Sequence, residues 1–256
     1  MQIVTLKNVI KSYNGVPVVN GLSLDVAAGE IVSLLGQTGA GKSTILNMIM
    51  GQTGPTAGEV RVHNCDPCGR DATLRGFLAV SFQTDRLLPW RTAAENVELG
   101  LEYMHVPKAE RRARARDWLT RVKLEPMHHR KFPHQLSGGM RQRVSLARAM
   151  SIDPELVLLD ESFSQLDHNT SRTLREDFVS LVREFKKTCL LITHRIDDAV
   201  EMADRIIVLE APARIKLELR IERDKADRRA LAHMRERITA VLSDSADPGP
   251  DADSQS

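Results

Sequence analysis

Gly36-Gln37-Thr38-Gly39-Ala40-Gly41-Lys42-Ser43 constrains this chain more than any other stretch. It fits the pattern G-x-x-x-x-G-K-[ST] without a gap. Before it stands Ile31-Val32-Ser33-Leu34-Leu35, an apolar run of the kind a strand covered on both faces carries. After it, Thr44 to Met50 continue as a helix. A buried strand turning through glycines into a helix belongs to an α/β fold with a mainly parallel sheet. The glycines let the backbone wrap closely, so that its N–H groups and the helix N-terminus face phosphates. Lys42 is then placed for the β- and γ-phosphates of a nucleotide, Ser43 for Mg²⁺ and Thr44 for a further phosphate contact. A glycine-rich turn that binds nothing is the alternative, and the flanking strand and helix weigh against it.

Such a site needs an acid at the end of a neighbouring buried strand to hold the Mg²⁺ shell. Leu156-Val157-Leu158-Leu159-Asp160-Glu161 supplies one. Four apolar residues put Asp160 at the strand's C-terminal edge, beside the phosphate loop in a parallel sheet. Glu161 follows, positioned to polarise an attacking water. Two adjacent acids at a buried strand end are costly without a cation.

The bulk numbers exclude more than they identify. The chain has 256 residues, of which 42% are hydrophobic, enough for one large domain or a main domain with an inserted lobe. Its 36 Lys and Arg nearly balance 34 Asp and Glu, which leaves no basic footprint of the kind a nucleic-acid binder carries. No run of eighteen apolar residues occurs, and Met1 to Lys7 lacks a signal peptide's basic start and apolar stretch. The expectation is a cytosolic protein that meets a membrane only through a partner. Cys189 lies in an apolar run and reads as a small buried hydrophobe. Cys65-Asp66-Pro67-Cys68 has His63 upstream but no second ligand pair for zinc. It reads as a surface loop after a short strand, with an easily oxidised thiol pair as the alternative.

Along the chain, residues 1–26 read as short strands around a turn, and 59–62 and 77–82 as further strands. From about 89 to 137 the texture becomes helical, with helices over 93–104 and 107–123; Pro107 suits a first helical turn, where its missing N–H costs nothing. This stretch reads as a helical lobe inserted into the α/β core. A helix over 138–150, a strand over 156–160, a helix near 170–186, a strand over 188–193 and final strands within 205–221 follow. Residues 224–242 can form one more helix. The last residues are rich in Asp, Ser and Pro, and 244–256 are expected to be a disordered tail.

Leu136-Ser137-Gly138-Gly139-Met140-Arg141-Gln142-Arg143 narrows the class. Ser137 and two glycines open a helix whose bare N–H groups make an anion site. This octet resembles the L-S-G-G-x-x-Q-R signature of ABC-type ATPases, and the resemblance to that family covers roughly residues 3 to 210. The resemblance implies a P-loop NTPase core with an N-terminal antiparallel β subdomain and an inserted helical subdomain. Residues 1–243 then form one ATPase domain, with C-terminal strands and helix over about 211–243. It implies ATP and Mg²⁺ as the bound species and a second cassette that receives Ser137, Gly138 and Gly139 against its own nucleotide. Tyr13 matches the aromatic that stacks on adenine. Gln83 matches the glutamine that senses Mg²⁺ and the partner protein. Gln165-Leu166-Asp167 matches the loop that crosses the dimer interface. His194, after Leu191-Ile192-Thr193, matches the histidine at the γ-phosphate. The catalytic set is thus Glu161, His194, Lys42 and Gln83, with Ser43, Gln83 and Asp160 toward the metal.

Three positions depart from the pattern: Ser162 stands where Pro is usual, Arg195 where Asp often follows the histidine, and Ser81 where Val is more usual. Without proline's fixed φ, Ser162 is expected to loosen the loop toward Asp167. Leu87-Leu88-Pro89-Trp90 followed by Thr-Ala-x-Glu-Asn-Val resembles the nitrate/sulfonate/taurine importer branch. That implies an exposed apolar docking cluster for an integral-membrane permease, with packing into the helical lobe as the alternative. Lys108, Arg111, Arg112, Arg114 and Arg116 read as a solvated face, with lipid headgroups as the alternative. The implied function is the ATPase subunit of a bacterial importer of a small solute. The implied place is the cytoplasmic face of the inner membrane, with a periplasmic solute-binding protein as an indirect partner and no nucleic acid. A soluble ABC ATPase acting on nucleic acid or ribosomes, and an exporter cassette, are the rival readings.

Overall fold

The computed structural model describes residues 1–69, 71–164, 166–222 and 228–244. Among these residues nine strands build two sheets. In the first, β1 (Gln2–Tyr13) lies between β2 (Val16–Ala27) and β4 (Ala57–Val62), antiparallel to both. The β1–β2 turn falls at Asn14-Gly15, both with positive φ (50° and 82°), which suits the right-handed twist of a hairpin. The two strands run twelve residues each, longer than the short strands expected of this region.

The second sheet has the order β5-β6-β7-β3-β8-β9, with β3 at Ile31–Gly36, β5 at Leu78–Ser81, β6 at Leu156–Asp160, β7 at Thr188–Thr193, β8 at Arg205–Glu210 and β9 at Arg214–Arg220. The first five in this order run parallel, and β9 returns antiparallel to β8. The continuous apolar runs divide between two faces. Ile31, Leu35, Val157, Leu159, Cys189 and Leu191 enter one buried cluster, and Val32, Leu34, Leu156, Leu158, Leu190 and Ile192 the other. Each such side chain stabilises the fold by about 1.5–3 kcal/mol relative to exposure.

One face is covered by the antiparallel sheet and α1 (Lys42–Ile49). The other carries α4 (Gly138–Ser151), α5 (His168–Glu184), α6 (Ile196–Met202) and α7 (Arg228–Asp244). Between β5 and β6 the chain makes α2 (Ala93–Tyr103) and α3 (Lys108–Arg121). Their apolar faces, including Val97, Ala115, Trp118 and Leu119, belong to the same buried cluster as α4 and β6. Thr92 closes the α2 N-terminus with a capping box to Glu95.

Several local expectations shift. Pro107 is the N-cap of α3 and not part of its first turn. α6 was not anticipated: seven residues are too few to show a helical period. The last helix reaches Asp244, one residue into the expected tail, whereas 245–256 lie outside the described residues. The Cys65–Cys68 segment holds a 3₁₀ turn over Pro67–Gly69 with both thiols free, and no metal-ligand cluster occurs among the described residues. No helix among them is long and apolar enough to cross a membrane.

Candidate functional site

The three central strands β6, β7 and β3 end on the same edge of the sheet. Leu35 is level with Thr193, and Asp160 with Ile192. The residues that follow these ends converge there, as ligand-binding residues do at the carboxyl edge of open α/β sheets. From β3 comes the loop of Gly36 to Gly41. Gly36 is packed so closely that a Cβ would meet the Leu209 carbonyl oxygen at 2.8 Å. Gly41, at φ 78°, starts α1 with no side-chain cap, so the first N–H groups of that helix remain available. Gln37, Thr38, Gly39 and Ser43 are exposed, Thr44 is half-buried, and Ala40 and Lys42 are buried.

Lys42 folds back over the loop, its Nζ donating to the Gly36 and Gln37 carbonyls at 2.7 Å each. Burial lowers its pKa, against the opposing pull of Glu161 and Asp160. The Asp160 carboxyl is shifted the other way: burial raises it, Glu161 adds to the rise, and Arg86 and Lys42 pull it down. A half-buried carboxylate beside another acid is held at a cost that a cation would relieve. Glu161 sits at φ 48°, an uncommon backbone state for a residue with a side chain. Its Oε1 lies 2.9 Å from His194 Nδ1.

The turn bearing His194 is braced from below. Arg175, 1% exposed, joins α5 to α6 through Asp198 (2.8 Å) and Glu201 (2.7 Å). The Thr193 hydroxyl donates to Asp198 at 3.2 Å, and its oxygen accepts the Arg195 N–H at 3.0 Å. Burial raises the Asp198 pKa even with Arg175 and Arg195 nearby, so this pair fixes geometry more than it adds stability. Arg195 also reaches the Phe163 carbonyl at 3.3 Å, tying the turn after β7 to the loop after Glu161.

The other expected residues lie farther out. Tyr13, 46% exposed, ends β1 with Lys11 Nζ 5.0 Å from its ring centroid. Gln83 is exposed just after β5. Asp167 accepts the Thr170 N–H at 3.0 Å and so caps α5, while Gln165 lies outside the described residues. Ser137 accepts the Met140 N–H as the N-cap of α4. Ser137 and Gly138 are exposed, and among the described residues no hydrogen bond joins their helix end to the loop, acid or histidine groups. A Cβ on Gly139 would come within 2.8 Å of Thr170 Cγ2, whereas on Gly138 the nearest atom, Leu166 Cδ2, is 3.5 Å away.

Three findings correct or extend the sequence reading. Ser162, expected to loosen its loop, donates its hydroxyl to the Ser81 carbonyl at 2.8 Å. The cluster at 87–90 divides, Leu87 being 8% exposed and Trp90 70%. Arg111, from the helix read as a solvated basic face, pairs with Glu98 and Glu102. Two features were missed. Arg86 stacks on Phe82 at 3.7 Å and acts on Asp160, and the α7 Leu242 carbonyl accepts from Gln37 Nε2 at 3.0 Å. α7 thereby reaches the phosphate loop from 205 residues away in sequence, beyond the reach of any local motif.

The family model described as "ABC transporter" matches residues 19–164. A taurine import ATP-binding protein of Yersinia pestis is 44% identical over 197 residues, 77% of this chain and 75% of that one. A bicarbonate transport ATP-binding protein of Synechocystis is 42% identical, covering 80% of this chain and 73% of its own length. Among solved structures, a dimeric ATP-binding cassette in a post-hydrolysis state, bound to ADP and Pi, superposes with a TM-score of 0.75 at 35% identity, over 85% of this chain and 98% of that one.

Proposed function

This chain belongs to the ABC transporter family and is an ATPase coupled to transport, and from that premise we propose that it drives uptake of a small solute, of the nitrate, sulfonate or taurine kind, through a membrane permease. The carrying observation is the convergence of Lys42, Asp160, Glu161 and His194 at one sheet edge, while the signature end of α4 is exposed and, in this reading, is completed by another molecule. The relatives named for taurine and bicarbonate import support the solute class. Trp90 supports a docking face beside Gln83.

In this reading the loop N–H groups, the α1 N-terminus and Lys42 hold the phosphates, with Tyr13 against the base. Ser43, Asp160 and Gln83 suit a hard divalent cation, since all offer oxygen ligands and the Asp160 carboxyl is poised to gain from a positive charge. Mg²⁺ there would neutralise charge developing on the β- and γ-oxygens. Glu161 accepts a proton from the attacking water as it turns in line with the γ-phosphate. His194 orients that carboxylate through the 2.9 Å contact and adds a donor toward the phosphate. Ser137 to Gly139 of a second cassette close the far side, and Asp167 lies at the seam between the two. The chain sits at the cytoplasmic face of the inner membrane, and a periplasmic solute-binding protein delivers the cargo to the permease.

The test is reconstitution with the permease and binding protein in proteoliposomes. Uptake of labelled taurine or nitrate that requires internal Mg·ATP is the expected result. Recovery of the chain with ribosomes or DNA instead of an integral-membrane protein would overturn the transport reading.

A further inference from the structure

Four polar side chains are buried together where α4 crosses the end of β5. Ser81, Gln142, Ser145 and Ser162 are 0%, 4%, 1% and 3% exposed. Ser162 Oγ donates to the Ser81 carbonyl at 2.8 Å, Gln142 Nε2 donates to Ser81 Oγ at 3.3 Å, and the Ser81 and Ser145 hydroxyls are 3.3 Å apart. None of these side chains is left without a partner. Ser81 and Ser162 are two of the positions at which the chain departs from the family pattern. Valine and proline there would carry no hydroxyl, and an apolar contact would pack α4 on β5 without any polar group to satisfy.

The cluster lies beside a backbone that needs holding. Glu161 adopts φ 48°, a strained state that persists only where its surroundings fix it. Its N–H donates to the Ile192 carbonyl at 2.9 Å, which secures the turn to β7. Its carbonyl accepts from the Ser164 N–H (3.1 Å) and hydroxyl (2.9 Å), which closes the turn on itself. The Ser162 hydroxyl supplies the bond to the opposite neighbour, β5, the strand that leads to Gln83 two residues later. The turn is therefore moored on both sides of β6.

We propose that Ser162 is a positioning residue for the Glu161 carboxylate, and that Ser81, Gln142 and Ser145 carry its mooring on to the signature helix. A shift of α4 on meeting a second cassette's nucleotide then moves the carboxylate of its own site. A carboxylate that must lie within hydrogen-bond reach of a water loses rate steeply when displaced by a fraction of an ångström. This rests on the reading of Glu161 as the group that accepts the water's proton.

The experiment measures steady-state ATPase of the full chain with its permease, for Ser162→Ala, Ser162→Thr, Gln142→Leu and the double variant Ser162→Ala/Gln142→Leu. Loss of one buried hydrogen bond that aligns a carboxylate predicts a kcat for Ser162→Ala about ten-fold down, with KM for ATP within about two-fold. Ser162→Thr, which keeps the hydroxyl, restores most of kcat. Gln142→Leu shows the same split at about three-fold, and in the double variant the two losses do not multiply, as for members of one network. If Ser162→Ala does not fold, the kcat-against-KM split in Gln142→Leu decides alone. A Ser162→Ala kcat equal to the parent, or one that falls together with KM and melting temperature, overturns the proposal. Glu161→Gln separates the two levels. If that variant turns over normally, the reading of Glu161 fails; if it is inactive while Ser162→Ala is normal, only the positioning role fails.

Discussion

Two helix N-termini in this molecule use the same device and end in opposite conditions. α1 begins at Gly41 and α4 at Ser137, each beside glycines that bring backbone N–H groups to the surface. Around α1 the chain supplies everything else in cis: Lys42 over the loop, Asp160 and Glu161 from β6, His194 after β7 and the α7 end at Gln37. Around α4 it supplies a scaffold and one first-turn guanidinium, Arg141, already engaged by Asp85 and the Leu136 carbonyl. Gly139 is wedged against Thr170, and Ser137 and Gly138 face solvent. In the proposed reading the first end holds a ligand with groups of its own chain, and the second is half of a site whose other half belongs to another molecule.

The largest effects should fall on the enclosed end. Glu161→Gln removes the base while leaving the fold and the phosphate loop untouched, and kcat is expected to fall by about 10²–10⁴-fold with ATP binding retained. Single-turnover and equilibrium binding assays separate the two steps; a parental kcat would reassign the base. Lys42→Ala is expected to lose nucleotide binding itself, read by fluorescent-nucleotide titration.

The comparison is broken most directly by mixing defects. Gly138→Asp has room for its side chain, since the nearest atom to a Cβ there is 3.5 Å away, and a carboxylate suits a helix N-terminus. It therefore folds, binds nucleotide as a monomer and repels the partner's phosphates. Alone it and Lys42→Ala are inactive. Mixed, each heterodimer regains one intact site, so activity returns to about a quarter of the parental value for a symmetric pair with random exchange. No recovery would mean that both helix ends serve one site within a single chain.

Trp90→Ala tests the face next to Gln83. The exposed indole braces nothing in the buried clusters. The ATPase of the isolated chain is expected to stay within about two-fold, as for surface changes generally. Stimulation by the permease should be lost. Equal loss with and without permease would place Trp90 in the fold instead.

What could be read from the sequence follows the same division. The α1 site rests on contiguous strings, and a string that must run from strand to loop to helix fixes both structure and chemistry. The two-faced burial of β3, β6 and β7 was likewise legible from runs of four or five apolar residues. Contacts made between distant segments were not. The seat of Leu242 on Gln37, the Arg175–Asp198 brace under His194 and the mooring of Ser162 on Ser81 each join residues that no spacing rule relates. Leu87 and Trp90 show the limit at short range: three residues apart in one apolar string, they differ in exposure where the Arg91 N–H closes a turn onto the Leu88 carbonyl at 3.1 Å.

A third helix start supplies the control. Asp167 caps α5 through the Thr170 N–H with a carboxylate, so that terminus carries its own negative charge, whereas Ser137 caps α4 through the Met140 N–H with a neutral hydroxyl. Accepting those N–H bonds lowers the Asp167 pKa, with the Thr170 backbone as the chief cause. A carboxyl whose folded pKa is depressed stabilises the fold above its ordinary value, and the contribution drains away as pH falls through the lowered one. Asp167→Ala is therefore expected to melt slightly lower than the parent at pH 5–8, with the difference closing below about pH 4. Asp167→Asn, which caps without a charge, should recover most of the difference at neutral pH and keep it in acid. Differential scanning fluorimetry across that range, without nucleotide, reads both. An Asp167→Ala deficit that is unchanged at pH 3 would show that the side chain acts by packing, and that its charge does not set α5 apart from the neutral Ser137 cap of α4.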